Sequence, residues 1–484
     1  MPSIWSKLLM TEWNLPYNCY ELGHTWTPYC SEAALEMGLI VFQQSLKLYA
    51  PLYLGNQILQ RKMDRKSFLE SFRSIIRSST FLGINAFAVI YLFCLNRYVF
   101  GRFYYTFSAY VPSFLGSLLA ILNERTSRRQ ALAFYVTNIA SETLFRVLVT
   151  RGHLKPVTNG QFYLFATAVM ILISLYENES LNDHFLKNAL NILINNRWTV
   201  FKSESKSKSK PPLDQTRNLD LLQNNQNFQY NLIDSIRSFL RNHYRRMKAY
   251  LPILDLRHRL CLHAARSSCF EHLVFESFLR NFLVGWSTFT GWIVASKLMS
   301  GRFRQTVQLF RTDRLLSKSS LSFAMFLSSF TTILNLFRCL LCHLQDDRKP
   351  WHSVAGGLIA SLAIYWIPES NSITLYLFWK SIESLFNYGV RKKYIKYDRI
   401  FIPFLYAMAT SQLFNSIVMD PTLIKPSYRR FIDKISQNRL NLINRNLLDV
   451  FGTNASKGFE TFWPRYDLQY TTKRFQESIL VWQL

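Results

Sequence analysis

Charge is what this sequence has least of. Only 18% of its 484 residues are Asp, Glu, Lys or Arg, against about a quarter in soluble domains. Acidic residues are the scarcer sign: 30 Asp+Glu stand against 57 Lys+Arg, a formal net charge of +27. Such an excess suits a nucleic acid or an anionic lipid surface. The sequence has no zinc-finger spacing and no aromatic-plus-basic signature of an RNA-binding sheet. Its cations cluster between apolar runs, at 61–66, 245–248 and 391–393. Anionic lipid head groups are therefore the expected partner, and nucleic acid is not.

Cysteine is also sparse. Seven residues scattered over the chain do not make a disulfide framework, which points to a reducing or organellar setting. There is no Gly-rich phosphate loop, no H-E-x-x-H helix and no G-x-S-x-G elbow, so neither an enzyme nor a cofactor is expected. The first residues lack a basic start followed by an apolar block, and VWQL is not a peroxisomal matrix address. Targeting is expected to lie in internal membrane segments.

What the sequence does have is apolar bulk: 49% hydrophobic residues, with 39 Phe. A helix needs about 20 apolar residues to span a bilayer, and ten stretches are candidates. They are 33–59, 75–95, 110–122, 131–149 and 162–176 in the first half, then 274–298, 321–344, 354–367, 374–388 and 400–419 in the second. The fold expected is all-α and polytopic, with eight to ten spans in two similar helical bundles. The divisions are an N-terminal Cys/His-containing segment (1–32), a first bundle (33–176), a polar basic linker (177–272), a second bundle (273–419) and a C-terminal tail (420–484). Within the linker, 202–212 is low-complexity and expected to be disordered. The stretch 228–251 carries Leu232, Ile233, Ile236, Phe239 and Leu240 at helical spacing, with Arg237, Arg241 and Arg245 on other faces. It reads as a basic amphipathic helix, lying either on anionic lipid or on the protein's own surface.

The halves resemble each other at a constant offset of 241 positions. This pairs Arg338 with Arg97, Gly357 with Gly116, Tyr376 with Tyr135, Glu383 with Glu142, Leu385 with Leu144 and Phe386 with Phe145. An internal duplication is expected. Five spans per half would invert the second copy, and four would keep it parallel; loop charge leaves the choice open.

Three constellations could carry chemistry. Glu142 and Arg146 lie four apart within a candidate span, and Lys380 and Glu383 lie three apart in the matching one. Each pair shares a helix face, and each charge in a membrane needs compensation. They are read either as ion pairs locking helices or as the polar lining of a path. Gly116 with Ala120, and Gly357 with Ser361, form small-xxx-small faces expected to serve helix packing. The third is a set of thiols and imidazoles: Cys19, His24 and Cys30 near the start, and His258, Cys261, His263, Cys269 and His272 at the end of the linker. Zinc takes four such ligands. Neither cluster has a familiar spacing, so bound metal is not expected. Cys19, His24, Cys30, Cys261, His263 and Cys269 are the residues that would hold it.

Several long strings resemble one family. Residues 18–26 (NCYELGHTW) with Pro28 and Cys30, then 45–53, 138–146, 448–457 and 464–472, are similar to the transmembrane protein 135 family, also called peroxisomal membrane protein 52. A fainter similarity, at Gly356 and Gly357, is to the superfamily of mitochondrial inner-membrane translocase channels and small peroxisomal membrane proteins. The first resemblance implies a multi-pass protein of mitochondrial and peroxisomal membranes. It further implies a role in mitochondrial fission–fusion balance, with a dynamin-related GTPase as partner, and in peroxisomal lipid or sterol handling. The family is richer in cysteine around the stretch matched by 257–261, where only Cys261 and Cys269 remain in this sequence, which counts against a metal there. The rival expectation is a transporter or channel for lipid, sterol or metabolite. Self-association into a homo-oligomer stays open.

Overall fold

The computed structural model describes residues 14–59, 64–105, 107–194, 269, 272–299, 317–347, 349–367, 371–396, 399–453 and 455–480. Among these the chain is helical. Strand is limited to β1 (Asn14–Leu15) and β2 (Phe103–Tyr104), one antiparallel pair with Asn14 opposite Tyr104. The first half forms α1 (Cys19–Leu22), α2 (Cys30–Leu59), α3 (Arg65–Phe100), α4 (Tyr110–Asn123), α5 (Thr126–Thr150), α6 (Gly160–Glu177) and α7 (His184–Ile194). The second half forms α8 (Arg280–Met299), α9 (Lys318–Gln345), α10 (Pro350–Ala360), α11 (Asn371–Arg391), α12 (Phe401–Met419) and α13 (Pro426–Ile435). A short α14 (Lys473–Phe475) follows. The low-complexity run 202–212 and the amphipathic stretch 228–251 lie outside the described residues.

Of the ten apolar stretches, five become helices long and apolar enough to cross a bilayer: α3, α5, α6, α9 and α12. α4 is apolar but shorter. α2, α8, α10 and α11 form on expected stretches and fall outside that group. The chain is an all-α, multi-pass membrane protein.

Packing divides it into two compact units, Met1–Pro156 with Lys396–Leu484, and Val157–Ile395. In the first, α2 packs on α3, α3 on α4, and α12 on both α4 and α5. A Cβ on Gly116 would stand 3.0 Å from the Val89 backbone nitrogen, so α4 and α3 meet with almost no side chain between them. A buried polar chain ties three helices: Ser117 Oγ donates to Asn85 Oδ1 at 3.1 Å, and Asn85 Nδ2 donates to the Tyr406 hydroxyl at 3.3 Å. In bilayer surroundings such groups need partners within the protein.

In the second unit α6 packs on α10 and α11, and α9 on α8 and α10. Its core gathers Val169, Leu172 and Ile173 of α6 with Leu334 of α9, Ala360, and Ile364 in the 3-10 turn Ser361–Trp366. Gly357 faces α6, where a Cβ would lie 2.5 Å from Ile173 Cδ1. A π-helical stretch, His272–Leu279, leads into α8. It is tied to α9 by Asn335 Nδ2 donating to Ser277 Oγ at 2.9 Å.

The order of helices repeats at the offset seen in the residues. α6 begins at Gly160 and α12 at Phe401, while α5 ends at Thr150 and α11 at Arg391. α4 corresponds in the same way to α10 with its 3-10 turn, and α3 to α9. Unit membership crosses the repeats, however. α12, last of the second repeat, belongs to the first unit, and α6, last of the first repeat, to the second. The sequence boundaries at 176 and 419 therefore differ from the packing units.

The first unit also carries a cap. The segment from Asn14 onward joins the tail after Met419 in one apolar cluster that includes Leu15, Cys19, Leu22, Ile443, Leu448 and Phe475. Buried Glu21 accepts hydrogen bonds from the backbone nitrogens of Asn18 and Thr472, at 2.7 and 2.6 Å. Asn444 N donates to Leu22 O at 3.0 Å, and Arg97 Nε donates to Tyr17 O at 2.7 Å.

Candidate metal centre and intramembrane charges

The N-terminal thiols and imidazole come together. Cys19 opens α1, which a reciprocal capping box of Asn18 and Glu21 fixes in place. The following turn folds back, with His24 N donating to Cys19 O at 3.0 Å, and Cys30 opens α2. Cys94, late in α3, completes the set. One ligand atom from each of Cys19, His24, Cys30 and Cys94 lies within 4.8 Å of every other. Cys19, His24 and Cys94 are buried and Cys30 is half-buried.

The imidazole is oriented for lone-pair donation. His24 Nδ1 lies 2.8 Å from Thr27 O, and a carbonyl oxygen only accepts, so Nδ1 carries the proton. Nε2 is then the unprotonated nitrogen; it is buried and has no hydrogen-bond partner. Hydrogen bonds from Cys19 and Cys94 hold the Cys30 thiol well below the ordinary thiol range. Sequence reading found three members and missed Cys94. A cysteine 64 positions beyond Cys30, inside an apolar helix, carries no local signal. Cys261 and His263 lie outside the described residues, and Cys269 is not part of the group. Beside it is an apolar cavity of about 70 Å³, lined by Leu22, Val89, Phe93, Phe103, Phe414 and Val418 among others.

Both pairs expected from helical spacing form, and each gains a further partner. Arg146 NH2 lies 2.5 Å from Glu142 Oε1, and Lys425 Nζ lies 3.7 Å from Glu142 Oε2. Lys380 Nζ reaches Glu383 at 2.9 Å and Asp183 at 2.7 Å. Sequence spacing found the partners one turn away. Lys425 and Asp183 lie beyond the helix in question, so the spacing could not reveal them. Among the pairs not foreseen are Arg151 with Asp420 at 2.6 Å, and Arg338 with Glu177 at 3.4 Å. Ser353 Oγ also donates to Glu177, at 2.7 Å. Of the small residues, Gly116 and Gly357 sit at helix contacts, Ala120 is fully buried, and Ser361 Oγ donates back to Gly357 O at 2.8 Å.

Residues 16–149 match the family model for the N-terminal cysteine-rich region of Transmembrane protein 135. The match supports the transmembrane protein 135 family. It spans the thiol–imidazole cluster, Gly116 and the Glu142–Arg146 pair. The fainter likeness to the translocase superfamily rests on Gly356 and Gly357 alone. No solved structure matches the chain.

Proposed function

We propose that the chain is a non-enzymatic, multi-pass protein of mitochondrial and peroxisomal membranes that regulates organelle dynamics and lipid metabolism. The carrying observation is the partnering of Glu142, Arg146, Lys380 and Glu383 within their own units. Charges held this way brace helices and leave no free ionised group at these positions to bind cargo. The family match adds the membrane context, and the family resemblance supplies the fission–fusion role with a dynamin-related GTPase as partner. In this reading the basic linker 177–272 is the docking surface for that partner and for anionic lipid. Deleting 202–212 and 228–251 together should alter mitochondrial network length in cells. An unchanged network at wild-type protein level contradicts docking through the linker.

The repeated helix order favours one rival, a transporter, because many transporters are built from repeats. In that case Glu142→Gln with Glu383→Gln would abolish lipid or metabolite flux in reconstituted vesicles while the protein stays folded.

A further inference from the structure

We propose that Cys19, His24, Cys30 and Cys94 bind one zinc ion in a closed, structural Cys3His site. The site goes beyond the function proposed above and stands whether or not that reading holds.

Four observations carry it. The first is size. Zinc with Zn–S bonds near 2.3 Å makes a tetrahedron of about 3.8 Å edge. The four ligand atoms, all within 4.8 Å of each other, need to contract by less than the reach of a rotamer adjustment. The second is the orphaned nitrogen. His24 is 1% exposed, its Nδ1–H is spent on Thr27 O, and its buried Nε2 has no partner. A backbone carbonyl fixing one ring nitrogen so that the other presents its lone pair is the usual outer support of a metal-bound histidine. An uncoordinated imidazole would leave that buried acceptor unpaired at a cost.

The third is donor chemistry. Three thiolates and one imidazole are soft to borderline donors that suit zinc and do not suit calcium or magnesium. Four protein ligands fill a tetrahedral shell, which marks a structural site and leaves no position for a reacting water. The fourth is charge. Zinc with three thiolates leaves one net negative charge, and Arg97, three residues beyond Cys94 on α3, holds its guanidinium on Tyr17 O and Pro16 O, just before Cys19 in the chain. Binding releases the thiol protons to solvent and changes no oxidation state.

The four ligands come from the start of α1, the turn after it, the start of α2 and the late part of α3. Zinc there clamps the N-terminal segment onto the spanning helices, and through Glu21 and Leu22 it steadies the tail that bonds to them.

The test uses the full chain purified in detergent, with metal content measured by mass spectrometry. The expected result is about one zinc per chain, falling at least tenfold in Cys94→Ser and in His24→Ala, and unchanged in Cys339→Ser. His24→Cys, which restores four ligands, should regain the zinc, so a loss in His24→Ala cannot be put down to misfolding alone. Cobalt substitution should give the intense thiolate charge-transfer bands of a tetrahedral site, altered in His24→Cys. Zinc absent from folded wild-type protein, zinc retained in Cys94→Ser, or a Cys19–Cys30 disulfide in protein kept under reductant would overturn the proposal.

Discussion

Lys380 stands between two carboxylates, whereas Glu142 stands between two cations. The two sites respond differently to neutralisation. Lys380→Met takes away the cation that half-buried Asp183 and Glu383 share, at a cost of about 3 kcal/mol, the lower end for breaking a buried pair. Glu142→Gln leaves Arg146, whose side chain is 41% exposed, free to turn to water or head groups, at about 1 kcal/mol or less. Thermal unfolding in detergent should rank Lys380→Met well below Glu142→Gln; equal shifts contradict the assignment. The glycines divide similarly. Gly116→Ala presses on the Val89 backbone and should cost about 1–3 kcal/mol, as overpacking does. Gly357→Ala meets the tip of Ile173, which can rotate aside, so it should cost less in the same assay. At this scale the sequence disclosed what lies on one element. Glu142 with Arg146, and Lys380 with Glu383, follow from helical spacing. Cys94, Asp183 and Lys425 do not, because their partners are set by how elements pack.

Among the elements, the hydropathy runs marked helices: among the described residues the apolar stretches are helical, and five of these helices are long and apolar enough to span. They did not disclose the exchange of α6 and α12 between repeats. The two helices are alike in length and apolarity, so either would satisfy either bundle by composition alone. What selects the arrangement is detail on facing surfaces. Tyr406 of α12 accepts from Asn85 of α3, and the Tyr110 hydroxyl of α4 bonds Gln412 of α12. A cysteine pair at Tyr110 and Gln412, made in a background lacking the other exposed thiols, should cross-link within one chain under a short thiol-specific reagent. Absence of that intrachain product, with reactive thiols present at both positions, contradicts the placement of α12.

The whole chain is organised around lipid. Its exposed apolar side chains on helices, among them Leu39, Tyr91, Leu119, Phe145 and Phe404, would make a soluble protein aggregate, yet they suit a bilayer. The strings that suggested the family, 18–26, 448–457 and 464–472, lie far apart in sequence and meet in the cap. There Tyr466 donates to Glu21 O at 2.6 Å, and Asp467 N donates to the Tyr20 hydroxyl at 3.1 Å. Their resemblance was legible as text; their common purpose emerged only from the folded chain. Alkaline carbonate extraction of cell membranes tests the central claim most directly. The account predicts that the chain stays in the membrane pellet and needs detergent for release. Recovery in the supernatant as a monodisperse, detergent-free protein contradicts it.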